Sequence, residues 1–392
     1  MMNNTTLSSS NVSEACQQAI TENPTARIIK LTFYITAMIV SFAGNLLVMC
    51  VVYRNRRLRT PTNYLITNMA VSDFLMTIIA VTPSAVTFIT NDPSWFGGWF
   101  GLTTCKLMGF GSGATMAGSI FTLTAIACER FNAIVFPLRS TMRSGNTKWV
   151  ITGVWLTSFL VMLPLLFTMA LEKDGGSYYC LEKWGPPLDP ETSSAIFTLA
   201  SFILLYAAPL VIITLLYACV VYTVWFRQIP GNTNRSMKKL QLKVRKNVVR
   251  MLITVVVVFA IFWLPMHVVQ LLISFSEVFP CGFPPSGVYL ACLLLPHSTG
   301  AINFLIYVVF SEDYKQGFKG LFRCFFLFGR KASIRLGQPS VRTENTIDHR
   351  RSTAHKQDME LRRLTSNNDQ EELSTPKGTK NVRFESEYSS SV

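Results

Sequence analysis

Asp73 stands alone in a strongly apolar stretch, within Asn68-Met69-Ala70-Val71-Ser72-Asp73. A carboxylate in hydrocarbon costs at least ~2.5 to 3.5 kcal/mol on insertion scales, so a lone one marks a site. Glu129 and Arg130 form an adjacent acid–base pair at the end of another apolar stretch. His267 and Gln270 follow Trp263 by about one and two helical turns, which places the three on one face. These groups can bind, pair and switch. No metal-ligand spacing, nucleophile constellation or phosphate loop is present, so covalent catalysis is excluded as the function.

Such groups need long apolar elements to position them. The chain has 392 residues, 49% hydrophobic and only 15% charged. Seven runs are long enough for transmembrane helices, over Ile28–Tyr53, Thr62–Thr90, Thr103–Phe136, Thr147–Leu171, Ser193–Phe226, Leu240–Phe275 and Pro284–Phe310. Several exceed the ~20 residues that span a bilayer, so tilt or protrusion is expected. The fold class is all-α, a seven-helix membrane bundle over 28–311. Around it lie an amino tail (1–27), an amphipathic membrane-surface helix (312–324) with Tyr314 and Phe318 inward, and a polar tail (325–392) read as disordered.

Basic residues set the orientation. Arg54, Arg56, Arg57 and Arg59 fill the first short loop, and Arg235, Lys238, Lys239, Lys243, Arg245, Lys246 and Arg250 surround the start of the sixth run. Both sides are therefore cytosolic and the amino terminus is outside, in a multi-pass plasma-membrane protein. The net charge of +14 reads as topology plus contact with anionic membrane lipids rather than nucleic-acid binding, because the cations flank spans. Sequons at Asn3, Asn4 and Asn11 agree with an outer, glycosylated tail. That tail lacks a signal peptide's basic-then-apolar pattern, so the first span is expected to direct insertion.

Cysteines divide by location. Cys50, Cys128, Cys219 and Cys292 lie in spans and read as apolar filler. Cys105 and Cys180 both fall outside, where a bridge persists and would pin the second outer loop to helix three. Whether Cys16 and Cys281, also outside, are bridged stays open. Cys324 follows the surface helix and suits palmitoylation.

Cys105 and Arg130 are 25 residues apart, roughly 37 Å of helix, one at each membrane face. Each span adds a mark in order. Gly44-Asn45 lies in the first, Asp73 in the second, and Glu129-Arg130-Phe131 then Pro137-Leu138 close the third. Trp155 marks the fourth, Pro209 and Tyr217 the fifth, Phe259 and Phe262-Trp263-Leu264-Pro265 the sixth, and Asn303-Phe304-Leu305-Ile306-Tyr307 the seventh. From about Ile28 to Cys324 the chain resembles a rhodopsin-like (class A) G protein-coupled receptor.

The resemblance implies roles for single residues. Asp73, Ser119, Asn303 and Trp263 would form a sodium pocket that favours the inactive state, with sodium an allosteric modulator and no other cofactor. Pro209, Ile120 and Phe259 would repack on activation. Arg130 would leave Glu129 to meet a heterotrimeric G protein, with Tyr217 and Tyr307 closing behind it. Plainer alternatives are an Asp73 tied only to polar neighbours, an inert packing Trp263 and an interfacial, snorkeling Arg130. Pro83, Pro164, Pro209 and Pro265 each remove a helix hydrogen bond and permit a kink.

Two departures stand out. Phe304 sits where the family usually has proline, a feature shared with some invertebrate-type, FMRFamide-like peptide receptors, and Pro296 or Gly300 could supply the bend instead. Arg245 replaces the acid that often clasps Arg130, so basal activity is raised or the lock is hydrophobic.

Ligand class follows partly by exclusion. Ser112 stands where amine receptors carry aspartate, and His297 where opsins carry the retinal lysine. The pocket is then lined by Ser112, Met116, Tyr206, Trp263, His267, Gln270 and Leu293, apolar walls with a few polar groups. In the outer loops Asp92, Glu172, Asp174, Glu182, Asp189, Glu191 and Glu277 outnumber Lys106, Lys173 and Lys183. That field would draw a cationic ligand, here a basic or amidated neuropeptide. Tyr178-Tyr179-Cys180 could begin a hairpin strand over the pocket.

In the tail, Arg350-Arg351-Ser352-Thr353 and Arg362-Arg363-Leu364-Thr365 suit basophilic kinases, phosphorylation there would give arrestin a negative cluster, receptor kinases are expected on the same tail, and Ser390-Ser391-Val392 suits a PDZ partner. The alternatives to a neuropeptide receptor are an orphan or constitutively active receptor with a lipid or small-molecule ligand, and a seven-helix transporter or pump. The last needs a relay of intramembrane acids, or broken-helix repeats, that the sequence lacks.

Overall fold

The computed structural model describes residues 24–90, 92–136, 144–186, 189–226, 235–276, 278–279, 284–321 and 323. The tail expectations, the sequons, Cys16, Cys281, Cys324 and the Arg245 side chain lie outside the described residues.

Seven long helices follow in chain order: α1 (Pro24–Arg54), α2 (Pro61–Thr90), α3 (Gly98–Val135), α4 (Ser144–Met162), α5 (Pro190–Phe226), α6 (Arg235–Phe275) and α7 (Ser286–Phe310). Local chemistry sets their ends. The Thr60 hydroxyl accepts from the Asn63 N–H ahead of Pro61, and the Asp189 carboxylate accepts from the Thr192 N–H ahead of Pro190. A side-chain acceptor followed by proline at the first helical position is a strong start signal.

α3 packs against α2, α4 and α5, while α7 packs against α1 and α6. The core is mostly apolar but also holds polar groups, and the outward faces are apolar too. Asn45, Asn68, Ser72, Asp73, Thr122 and Asn303 are buried, whereas Ile39, Leu160, Leu215, Ile261 and Val309 face outward. Lipid solvates the apolar faces, so packing and interhelical hydrogen bonds hold the helices together. Asn68 exemplifies this: its Nδ2 donates to Thr122 Oγ1 at 2.8 Å, and its Oδ1 accepts from Trp155 Nε1 at 3.0 Å, joining α2, α3 and α4.

Among the described residues six helices are long and apolar enough to cross a membrane. α4 is not among these six. Its end also corrects the expected span to Leu171. The helix stops at Met162, a single helical turn follows over Leu165–Thr168, and Met169–Asp174 is strand β1. Pro164 has no N–H to return to the Leu160 carbonyl, and an apolar run alone does not separate helix from buried strand.

β1 pairs antiparallel with β2 (Ser177–Glu182), with Leu171 opposite Cys180. Gly175 and Gly176 form the turn with φ of 55° and 91°, a pair of left-handed residues that matches the twist of a two-residue hairpin. The Cys105–Cys180 disulfide ties the hairpin to α3. Cys180→Ser is expected to cost about 2 to 5 kcal/mol. Thermal unfolding of the detergent-solubilised protein should show this as a clearly lowered midpoint.

Two of the expected proline kinks take a specific form. A π turn over Thr77–Val81 precedes Pro83, and another over Ile203–Ala207 precedes Pro209. The carbonyl that each proline leaves without its usual partner, at Ile79 or Leu205, falls inside the wider turn. Pro265 and Pro296 lie within α6 and α7.

Candidate functional site

The centre of the bundle is polar and tightly bonded. Asp73 Oδ1 accepts from the Ser119 hydroxyl at 2.8 Å, and Oδ2 accepts from Asn303 Nδ2 at 3.0 Å, so one carboxylate links α2, α3 and α7. The Ser41 and Thr77 hydroxyls meet at 2.9 Å, and Asn45 Nδ2 donates to the Ser41 carbonyl at 2.9 Å. Asp73, Ser119, Asn303 and Trp263 all line one internal cavity of about 40 Å³. That space holds a few waters or a small hydrated ion. Met116, placed with the ligand pocket by the sequence, also lines this cavity.

Above it lies an aromatic cluster. Trp263, Tyr206 and His267 come together, with ring centroids 5.0 Å apart for Tyr206–His267 and 6.3 Å for Trp263–His267. Phe259 extends the stack from Tyr206 at 5.8 Å. Tyr206 is fixed by donating to the Ala260 carbonyl at 2.8 Å. His267 is 3% exposed, and its Nε2 has no hydrogen-bond partner. A buried imidazole nitrogen left unpaired is costly and therefore informative. Phe202 belongs to this cluster, 5.9 Å from His267, and the sequence reading missed it. Its i, i+4 spacing to Tyr206 was the available signal. Ser112 donates to its own helix at Gly109, Gln270 is exposed and Leu293 is half-buried, and none of these three joins the aromatic contacts described here.

At the other end of α3, Arg130 grips Glu129 with both arms of its guanidinium, Nε to Oε2 at 2.5 Å and Nη2 to Oε1 at 2.7 Å. Glu129 is 6% exposed. Thr62 closes the group by donating to Glu129 Oε2 at 2.7 Å while accepting from Arg130 Nη2. Nothing in the spacing of the sequence singled out Thr62. Tyr217 and Tyr307 are buried, and the Tyr217 hydroxyl has no partner. Pro209, Ile120 and Phe259 are interior as well. His297, at the position of an opsin's lysine, shares a 2.6 Å hydrogen bond with the Tyr34 hydroxyl.

At the hairpin end of the bundle Arg27 joins the three lysines, donating to the Phe88 and Ile89 carbonyls. Lys183 pairs with Glu172, Lys106 donates to the Leu166 carbonyl, and Lys173 lies over the Tyr178 ring. Hydrogen bonds from the Ser94 N–H and hydroxyl hold Asp92 below the usual carboxylate range, and bonds from Thr192 do the same for Asp189. Both therefore remain anionic well below neutral pH.

The described helices thus enclose a buried carboxylate, with a bridged hairpin at one end of α3 and an Arg–Glu pair at the other. The pattern of the 7 transmembrane receptor (rhodopsin family) matches residues 44–307, and the chain belongs to that family, whose members are receptors and not enzymes. It is 32% identical to the Substance-K receptor of Homo sapiens over 75% of this chain and 72% of that one. Against the Neuromedin-K receptor of Oryctolagus cuniculus it is 34% identical over 74% of this chain and 60% of the other. The Substance-P receptor of Cavia porcellus is 30% identical, over 74% and 70%. The narrower likeness to FMRFamide-type receptors has no counterpart among these three.

Proposed function

We propose that the chain is a plasma-membrane receptor for a small extracellular neuropeptide and that it activates a heterotrimeric G protein. The observation that carries this reading is His267, a buried imidazole with a free Nε2 framed by Phe202, Tyr206 and Trp263. Such a floor suits the apolar, amide-bearing end of a peptide: aromatic faces cover side chains while one polar atom orients an amide. The acidic outer loops add long-range attraction for a basic peptide, and the disulfide-tied hairpin adds main-chain edges. The relatives named for substance K, neuromedin K and substance P support a peptide in general terms.

Arg130 is the residue that would meet the G protein, and leaving Glu129 would expose it. The group around Asp73 fits a monovalent cation. It offers a single carboxylate with hydroxyl and amide oxygens, hard donors whose one negative charge matches one positive charge. When bound there, sodium would neutralise Asp73.

The test is calcium release in cells expressing the receptor with a promiscuous G protein. The panel contains substance K, neuromedin K, substance P and peptides ending in Arg-Phe-amide. A peptide response is expected. Arg130→Ala should abolish it at unchanged surface expression. His267→Leu should weaken peptide binding at least about tenfold, as lost hydrogen bonds in ligand sites do. Silence across the panel, with the receptor at the surface, would overturn the peptide reading.

A further inference from the structure

Where α4 gives way at Pro164, the chain builds a second cleft on the outside of the bundle. Beyond the last pair of the hairpin, Met169 opposite Glu182, the Lys183 N–H donates to the Thr168 carbonyl at 2.7 Å. That bond brings residues 183–186 beside the turn Leu165–Thr168. Trp184 is held there from two sides. Its Nε1 donates to Glu182 Oε1 at 2.7 Å, and its ring meets Phe197 of α5 at 5.5 Å. A Cβ at Gly185 would meet nothing within 4 Å, so this glycine leaves space open. The cleft, about 710 Å³, is lined by Leu160, Leu163, Phe167, Lys183, Trp184 and Gly185 among others. Its size lies within the ~300 to 1,000 Å³ of small-ligand sites. Leu160 and Phe167 are 69% and 74% exposed, which sets the cleft apart from the enclosed cavity around Asp73.

We propose that this cleft holds the phosphocholine headgroup and upper acyl chain of a phosphatidylcholine in the leaflet at the hairpin end. The outward side chains of Leu160, Leu163 and Phe167 suit hydrocarbon, and the amphipathic Trp184 suits the headgroup layer above it. Charge selects the headgroup. One cation, Lys183, lines the cleft, and two acids bond to lining residues, Glu172 to Lys183 and Glu182 to Trp184. A lipid with a single negative charge meets a rim that is itself negative and gains little. A zwitterion is matched at both ends. The Lys183 ammonium has three N–H for its one contact with Glu172, and its side chain is 64% exposed, so it can also take a phosphate oxygen. The two carboxylates and the Trp184 ring then face the trimethylammonium. A quaternary ammonium has no N–H to donate and is recognised by aromatic faces, which favours choline over ethanolamine. A sterol brings one hydroxyl and leaves the charged rim unanswered.

Photocrosslinking of the full-length receptor in mixed-lipid nanodiscs tests this. The probes are phosphatidylcholine, phosphatidylethanolamine and phosphatidylglycerol, each with a diazirine in the acyl chain, and the adducts are mapped on peptides. Labelling of residues 160–167 is expected to be strongest with the choline probe and weakest with the glycerol probe. Trp184→Leu should lower the preference for choline over ethanolamine about threefold or more, the strength of a cation–π contact. Lys183→Gln, at an exposed side chain, should weaken labelling by both zwitterions. Gly185→Leu should fill the cleft and abolish the preference while leaving the unfolding temperature unchanged, because no protein atom stands in its way. Equal labelling by the three probes would reduce the contact to ordinary bilayer solvation and overturn the proposal. So would displacement of the choline probe by cholesterol, or a choline preference that survives both Trp184→Leu and Gly185→Leu.

Discussion

Gly44→Val is expected to remove the receptor from the cell surface, and Phe304→Ala in the same chain to bring it back. A Cβ on Gly44 would lie 2.4 Å from Phe304 Cγ, 2.5 Å from Cδ1 and 2.9 Å from Cβ. These are the root atoms of the ring, which cannot swing clear unless the α7 backbone moves. Overpacking of this kind costs typically ~1 to 3 kcal/mol, and the two further methyls of valine add to it. The ring cannot be pushed sideways easily either, since its other side meets Phe318 edge-on at 5.5 Å and 70°. Phe304→Ala removes the obstacle at the expense of a cavity, so the double variant should recover most but not all of the lost stability. Surface immunodetection and thermal unfolding of the purified variants together read this. Normal expression of Gly44→Val alone would mean that α1 and α7 sit further apart than described.

Asp73→Asn should erase any effect of sodium on the protein while preserving its fold. A ligand that binds only the folded state raises the unfolding temperature by mass action, so wild-type receptor should melt higher in sodium chloride than in choline chloride. The amide replacement keeps a polar group within reach of Ser119 and Asn303 but has no charge for a cation, and its melting point should be the same in both salts. Asp73→Leu should do worse. It takes the carboxylate partner away from the Ser119 hydroxyl and the Asn303 amide, at up to ~1 to 3 kcal/mol for each group that cavity water does not pair again. In signalling assays the wild-type agonist affinity should fall in sodium, by a factor within the roughly 5- to 150-fold span of ordinary allosteric coupling, and the Asp73→Asn affinity should not. Salt-independent melting of the wild type would remove the cation from this cavity.

What could be read from residues alone depended on how singular each was. Asp73 announced itself because no other acid lies well inside an apolar run; Ser119 and Asn303 came only with the family resemblance, and their hydrogen bonds to it suit a polar tether as well as a cation site. Glu129 and Arg130 are adjacent, but neighbouring side chains on a helix do not face each other, so their pairing came with the resemblance and not with the spacing. Thr62 and Phe202 were different. A threonine in the first turn of one helix carries no mark of the contact it makes across the bundle, and the i, i+4 spacing of Phe202 to Tyr206 signals that neighbour but not the approach to His267. Helix ends failed for a related reason. Met169, Ala170 and Leu171 are as suitable for a membrane helix as for a strand, and only pairing with β2 decides between them. The π turns were legible only as prolines, since hydropathy does not register one additional residue within a turn.

That additional residue has a bearing on how this chain is compared with others. Each residue of a regular helix advances about 100° around the axis. The wide turn over Ile203–Ala207 therefore shifts the outer part of α5 in phase against its inner part by about that angle. Matched without a gap to a relative whose fifth helix is regular, every outer position would be assigned to the wrong side. A proper correspondence needs a one-residue offset placed inside the membrane, two to six residues before Pro209, rather than in any loop.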